Sequence, residues 1–558
     1  MSPRRIWTSH RAEDVPGILR RVDDCARAGA WCAVAVSYEA ASAFDPAASV
    51  HPGGPFPLVW AAAFDRKGPL PSEENGSGRA SYLRWGPPIP FPEYRRAVRA
   101  IHRKIARGET YQVNYTFPLR GVFRGDEVRE FTELAQSQGA GYNALIRWGR
   151  YVVMSVSPEL FFSRAGSRLT VRPMKGTASR GRWPAEDEAQ ARRLKDSPKE
   201  RAENLMIVDM IRNDLGKISR PGSVRVDPLF EVEKYPSAFQ MTSTVRSLVP
   251  PSVRLDGIFG ALFPSASVTG APKVQTMKII RSLERSPRGL YTGAIGLVKP
   301  GGDCLFNVAI RTVLLDRSSG RACAGVGGGI TADSSPASEY GECRLKSDFF
   351  RKRPSFELLE TILLKDGRYA LLGRHLRRMR DSARYFSYPH DREAVEDSLA
   401  RVRRRHPAGS WRVRLLSSVH GAVRTEVSPH AALPGGPLRV CWARHPVSSN
   451  DVFLFHKTTH RDAYERARGR AVSSDDVIYW NERGEVTESG RANIVWEEKG
   501  RLWTPPVESG LLAGTYREEL LVKGILREKK ITRSELSKKT SFHLINSVRR
   551  WMTVRWKG

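Results

Sequence analysis

Along the chain, stretches of helical periodicity alternate with short apolar, β-branched runs bounded by turn residues. A helix is predicted over Tyr94–Arg107, opened by Pro92 and ended by Gly108-Glu-Thr110, with a strand at Tyr111–Phe117. Arg150–Ser155 and Leu169–Arg172 read as strands, residues 185–213 as helical with charge on one side, and strand-rich sequence returns over 289–315 and 322–330. Pro/Gly-rich stretches at His51–Pro57, Pro69–Gly78 and Gly86–Pro92 are expected loops, setting an N-terminal portion (1–90) apart from a core (91–346). The short basic segment Leu345–Pro354 places the major boundary near residue 352, with 347–354 as linker. Beyond it, Phe356–Leu363 is expected as a strand and His375–Tyr385 as an amphipathic helix. They belong to a smaller portion (355–445), and a lesser boundary within Cys441–Ser449 separates it from a strand-rich one (446–558).

The length of 558 residues fits three or four structural units. With 40% hydrophobic and 27% charged residues, wholesale disorder is excluded. No apolar run approaches the ~20 residues of a membrane span, and no apolar core follows Met1-Ser-Pro-Arg-Arg5, so neither membrane insertion nor export is expected. Six cysteines lie scattered without C-x-x-C spacing, which argues against a zinc site or a disulfide framework and fits a cytoplasmic protein with free thiols. The abnormal figure is 91 Lys+Arg against 59 Asp+Glu, a formal charge of +32. It invites nucleic-acid binding, but an enzyme of anionic ligands explains it as well, and no zinc finger, RNP aromatic sequence or helix-turn-helix pattern is present. Nucleic acid is therefore not an expected partner.

Chemistry enters with four carboxylates. Glu200 and Glu203 are three apart on a predicted helix and so share a face; Glu339 and Glu342 repeat the spacing. Apart, they are two solvated helical faces. Converging, they would repel by about 4 kcal/mol per pair at ~4 Å and an effective dielectric near 20, and a hard cation such as Mg²⁺ would relieve them. Gly325-Val-Gly-Gly-Gly-Ile330 follows a strand and reads as an anion nest or a tight turn. Arg311 lies on an apolar strand, where its guanidinium needs an anion, and Lys175 follows a strand inside a turn, as nucleophile or ion-pair member.

Ser157-Pro-Glu-Leu160, Pro173-Met-Lys-Gly-Thr177, Arg201–Gly216, Phe263–Lys273 and Gly327–Ser334 together resemble, in order, the motif series of the chorismate-utilising enzymes over about residues 90–346. The resemblance implies an α+β fold of two large, mostly antiparallel sheets packed with helices. Lysine at position 175 resembles the 4-amino-4-deoxychorismate synthase branch; anthranilate synthases usually carry a small residue there. In that branch the lysine amine adds at C2 of chorismate as the 4-hydroxyl leaves, and ammonia then attacks C4 and expels the lysine. By the same resemblance Glu159 is the general acid, and Glu200, Glu203, Glu339 and Glu342 form the Mg²⁺ site, with Glu203 and Glu342 as direct ligands. Tyr291, Arg311, Gly327 and Gly329 hold a chorismate carboxylate, and Gly176, Thr177 and Thr269 line the pocket. Gln240 departs from the pattern, standing where anthranilate-type members have histidine. Ser37-Tyr-Glu-Ala-Ala41 resembles the family's N-terminal strand region and is expected to serve packing. No Gly-x-Cys-x-Gly turn of a glutaminase is present, so ammonia from glutamine would come from a separate amidotransferase subunit.

In the second half, His375-Leu-Arg-Arg378, Lys457 at the end of an apolar strand, Glu488 before a turn and strand, and Leu511–Arg517 before a helix each suit ordinary structure. Together they resemble the fold-type IV pyridoxal-phosphate enzymes over about residues 355–558, a module of two α/β subdomains. The resemblance implies that Lys457 is the Schiff-base lysine and that Glu488 pairs with the pyridine nitrogen. It assigns the phosphate to Arg378, Gly514 and Thr515, gives Asn493 a supporting place, and suggests a homodimer. The small subdomain is expected to be shortened, because the first portion ends where the family's opening residues would lie. Among fold-type IV activities, aminodeoxychorismate lyase would consume the first half's product, giving 4-aminobenzoate and pyruvate. The competing reading is an anthranilate synthase fused to a branched-chain or D-amino-acid aminotransferase-like domain.

Overall fold

The helix expected at Tyr94–Arg107 forms over Phe91–Ala106, with Pro92 in its first turn, where proline's missing N–H costs nothing. Its apolar stripe of Tyr94, Val98 and Ile101 is fully buried. In this computed structural model the described residues are 2–68, 81–139, 141–348, 350, 356–431, 436–469, 474–539 and 542–557. The expected loop at 69–78 and most of the expected linker lie outside them.

Two units emerge, residues 1–179 with 190–353, and residues 180–189 with 354–558. The first is built on two antiparallel sheets. One has nine strands, in the order Arg5–Ser9, Val59–Phe64, Trp31–Val36, Ala294–Val298, Cys304–Val308, Leu160–Ala165, Arg168–Arg172, Val245–Leu248 and Arg225–Val226. The N-terminal residues are thus woven into the sheet: Trp31–Val36 pairs directly with Ala294–Val298. The other has seven strands, centred on Gln112–Arg124 paired with Arg321–Ile330 along ten residues of each. A small sheet of Met174–Ser179, Ala238–Thr242 and Glu231–Lys234 completes the unit. The α+β class with two large antiparallel sheets is as expected.

The second unit has a four-stranded antiparallel sheet around Leu358–Lys365 and Ser410–Ser417, covered by helices Leu372–Phe386 and Arg392–Arg405. It also has an eight-stranded mixed sheet with Trp496 and Phe542 buried in its core. Residues 180–189 belong here: Trp183 stacks on Phe455 at 5.1 Å and the Tyr385 hydroxyl donates to the Gly181 carbonyl at 2.7 Å. Periodicity along the chain carries no signal for such a long-range excursion.

One local expectation is refined and four are corrected. Residues 185–213 form two helices, Pro184–Asp196 and Pro198–Gly216, because Ser197 caps the second through the Glu200 N–H and Pro198 takes its first turn. Lys175 lies within the strand Met174–Ser179, not in a turn. Arg311 sits between Cys304–Val308 and Thr312–Asp316 at φ +50°, not on a strand. Gly325–Ile330 is the end of the strand Arg321–Ile330, neither nest nor turn. Near Lys457, the apolar run 453–456 enters a 3₁₀ turn at Val452–Leu454 in place of the expected strand. Among the described residues, all six cysteines are free and no helix is long and apolar enough to cross a membrane.

Candidate functional site

The first unit holds a cavity of about 360 Å³ at the ends of its paired elements. The helix Pro198–Gly216 brings Glu200 and Glu203 to it, Pro336–Asp348 brings Glu339 and Glu342, and Met174–Ser179 brings Lys175. Asn204, fully buried, donates to the Lys175 carbonyl at 3.0 Å and accepts from Ser243 at 2.6 Å, fixing the strand beneath the lysine. Lys175 Nζ stands 3.6 Å from Glu203 Oε2. Glu342 pairs with Lys346 at 2.7 Å, which holds its carboxyl below the usual range. Burial, then the neighbouring Glu203, raises Glu200; burial, then Glu342, raises Glu339, whose Oε1 accepts from Ser334 at 2.9 Å.

Glu159 is buried at the cavity wall, and the Ser267 hydroxyl donates to its Oε1 at 2.6 Å. Burial pushes its carboxyl up to about 7, against the opposing pull of Ser267, the Met174 backbone and Lys175. Gly176, Thr177, Tyr291, Arg311, Gly327 and Gly329 also line the cavity. Thr177 donates to Gln240 Oε1 at 3.1 Å, and the Arg311 guanidinium lies over the Tyr235 ring at 5.9 Å. Thr269 is the exception: its hydroxyl turns back to the Ser265 carbonyl at 3.0 Å and it is not part of the lining.

The glycine-rich strand makes room. A Cβ on Gly325 would fall 2.1 Å from the Tyr291 ring, and one on Gly329 would fall 2.1 Å from Lys175 Nζ. Because the second obstacle is the end of a flexible chain, Gly329→Ala is expected to fold normally by circular dichroism. Its lysine is expected to be displaced, lowering turnover in the first unit by about 10²-fold, the scale of a 1 Å misplacement. The same geometry shows a residue that the sequence reading missed. Gln112 is fully buried, its Nε2 would be 3.1 Å from that Gly329 Cβ, and neither its Nε2 nor its Oε1 has a hydrogen-bond partner among the described residues. A buried amide left unpaired is costly. In sequence it is one of three polar residues alternating along an expected strand, with nothing to single it out. Lys346 was hidden in the basic stretch read as a boundary.

The second unit encloses a cavity of about 750 Å³. Lys457 is held by its carbonyl, which accepts from the Leu359 N–H at 3.0 Å. Burial and then the Arg378 charge bring its amine down to about 8. Glu488 lies on the buried strand Val486–Ser489 and receives Tyr464 Oη at 2.5 Å, the Leu512 N–H at 3.1 Å and Asn493 Nδ2 at 3.3 Å. Burial raises its carboxyl to about 7 in spite of these donors. Gly514 caps the helix Thr515–Val522, and a Cβ there would strike Asn493 Oδ1 at 2.1 Å. Arg378 is already bound to Glu360 through Nε at 2.8 Å and Nη2 at 2.7 Å, while its Nη1 reaches the Ala513 carbonyl at 3.1 Å. Buried Glu360 also meets His375 Nδ1 at 2.6 Å; Arg378 and His375 overcome its burial and lower it to about 2. His375 Nε2 in turn lies 3.3 Å from Thr515 Oγ1. Glu360 and Tyr464 were missed, and His375 was read only as part of the His375-Leu-Arg-Arg378 motif, since their partners are distant in sequence.

Residues 17–352 match the family model described as chorismate binding enzyme, and residues 357–556 match that of class IV amino-transferases. The chain is similar to aminodeoxychorismate synthase component 1 of Klebsiella aerogenes, 40% identical over 46% of this chain and 57% of that one. It is also similar to the Bacillus subtilis protein of the same name, 38% identical over 49% of this chain and 57% of that one. The chain thus spans little more than half the length of these relatives. Anthranilate synthase component I from Streptococcus pneumoniae TIGR4 shares its fold, with a TM-score of 0.55 and 23% identity over 63% of this chain and 91% of that one. With the first model matched over more than half of its length, the chain belongs to the chorismate binding enzyme family.

Proposed function

We propose that the two units carry out consecutive reactions, amination of chorismate at C4 and then elimination of pyruvate to give 4-aminobenzoate. The observation that carries this reading is the lysine in the first cavity, with Glu159 and Arg311 on the same walls. Lys175, deprotonated, adds to C2 as the ring double bond shifts and the C4–O bond breaks. Glu159 supplies the proton with which the hydroxyl leaves as water. Ammonia then forms the C4–N bond, the double bond returns, and the C2–N bond to Lys175 breaks. Arg311 holds a substrate carboxylate, and Gln112 stands behind the lysine with its unpaired amide, its Nε2 near Gly329 as Lys175 Nζ is. The ammonia is either free or delivered by a separate glutamine amidotransferase.

Among the described residues no three His, Cys, Asp or Glu side chains gather at metal-ligand spacing. The donor chemistry nevertheless suits Mg²⁺: four carboxylates line one cavity, and burial followed by mutual repulsion raises two of them. Glu203 and Glu342 would hold the ion, with Glu200 and Glu339 behind them. Bound there, it would neutralise substrate carboxylate charge.

Pyridoxal phosphate fits the second cavity by its amine of lowered pKa, its buried carboxylate and the glycine cradle at Gly514. When bound it supplies an electron sink. Lys457 would carry it, Glu488 would face its ring nitrogen with Asn493 in support, and the N–H groups at Gly514 and Thr515, with Arg378, would take its phosphate. Once the substrate amine has displaced it, the Lys457 amine removes the C4 proton as the ring aromatises and pyruvate leaves.

Mass spectrometry of the full chain incubated with chorismate in the absence of ammonia tests the first step. A substrate adduct on the Lys175 peptide is expected, and its absence would refute the nucleophile. The pH profile tests the acid. Glu159 donates only when protonated, below about 7, so the amination rate is expected to fall as pH rises through that value. Glu159→Gln should remove this limb and about 10²–10⁴-fold of the rate.

A further inference from the structure

One cationic cluster at the second cavity has no part in the reaction as described. Arg549 ends the turn between strands Phe542–Asn546 and Arg550–Trp556 and lines the cavity. The turn is tied down by Asn546, whose Oδ1 accepts from the Val548 N–H at 3.1 Å and the Arg549 N–H at 2.8 Å. Arg550, at φ +59°, then returns the chain to its strand. Arg549 Nη1 is buried and has no hydrogen-bond partner among the described residues.

Two more bases adjoin it. His430 and Arg412 line the same cavity, and the charges of Arg549 and Arg412 both add to burial in lowering the His430 imidazole. Among the described residues Arg412 spends only Nε, on Ser428 Oγ at 3.2 Å. Leaving a buried guanidinium nitrogen unpaired costs free energy that an entering anion would recover. A carboxylate matches the planar fork of a guanidinium by accepting two parallel N–H bonds. The phosphate receptor proposed at the Gly514–Thr515 turn lies on another element, which leaves Arg549 for an anion of the substrate.

We propose that Arg549, with Arg412 beside it, binds the ring carboxylate of the amine consumed in the second unit. The inference rests on the proposed elimination reaction. That carboxylate lies para to the reacting amine and stays on the product, whereas the other leaves with pyruvate. The cluster therefore selects para-amino ring carboxylates over amines without one, and 4-aminobenzoate itself should bind.

The test uses the full chain loaded with pyridoxal phosphate. In wild type, calorimetric titration should show 4-aminobenzoate binding about tenfold to hundredfold more tightly than aniline, the range for one charged hydrogen-bonded pair. Arg549→Met should erase that preference and raise KM for 4-amino-4-deoxychorismate by a similar factor, with kcat changing less. Arg549→Lys should recover part of both, and cofactor loading, read by absorbance, should be equal in all three. Equal binding of 4-aminobenzoate and aniline to wild type would overturn the proposal even if the Met variant failed to fold. An unchanged KM in an active, folded Met variant would overturn it too. Failure of the wild type to consume 4-amino-4-deoxychorismate would instead overturn the elimination reaction, and the substrate subsite with it.

Discussion

Lys175→Ala is expected to lower C4 amination of chorismate by about three orders of magnitude, ~4 kcal/mol of barrier at 1.36 kcal/mol per tenfold. The lysine is at once the proposed nucleophile and the partner of Glu203, both mostly buried, with side chains 13% and 17% exposed. Alanine therefore also leaves a carboxylate unpaired among three others, and loss of activity could reflect loss of structure. Lys175→Arg separates the two effects. It keeps a cation beside Glu203 yet cannot act as the nucleophile, so it should melt like wild type and still make no 4-amino-4-deoxychorismate. Chromatography of the products checks both variants. Amination at the wild-type rate in either would remove the nucleophile role.

Lys457→Ala is expected to stop the chain of reactions one step later. 4-Amino-4-deoxychorismate should accumulate, pyruvate release should fall to background, and borohydride should fix no cofactor on the protein. In wild type, borohydride should fix the cofactor on the Lys457 peptide alone, as peptide mapping would show. The sign of the pH dependence follows from the lowered amine. Only neutral lysine attacks a carbonyl, and the neutral fraction of Lys457 grows as pH rises through about 8. Cofactor uptake by cofactor-free protein should therefore rise and level off above that value, two units before an ordinary lysine would. A rate still climbing toward pH 10 would show that the cavity does not hold the amine as described.

How much of this was legible in the sequence depended on whether the signal was local. The two E-x-x-E pairs could be placed on helical faces from spacing alone, and both now line one cavity. Lys175, Lys457 and Glu488 were found because their short contexts resemble known motifs, yet the local conformations of Lys175 and Lys457 were misread. Lys175 was put in a turn because Pro173 and Gly176 flank it; the bulge between Met174 and Thr177 accommodates them within a strand. The glycines of Arg321–Ile330 suggested a nest, but in a paired strand their use is steric, clearing space for Tyr291 and Lys175. The roles of Glu360, His375 and Tyr464 were out of reach, since each acts through partners distant in sequence, and that of Gln112 was hidden because its neighbour Gly329 is equally distant. Glu360 is an ordinary strand residue until His375 and Arg378 close on it. The +32 charge pointed nowhere by itself. Only the cavities show which cations have tasks.

Identification of the aromatic product tests most directly whether one chain converts chorismate to 4-aminobenzoate in two steps. The full chain is incubated with chorismate, an ammonium salt, Mg²⁺ and pyridoxal phosphate, and the aromatic products are separated and quantified alongside pyruvate. 4-Aminobenzoate with an equimolar amount of pyruvate is the expected result; 2-aminobenzoate as the sole aromatic product would contradict it.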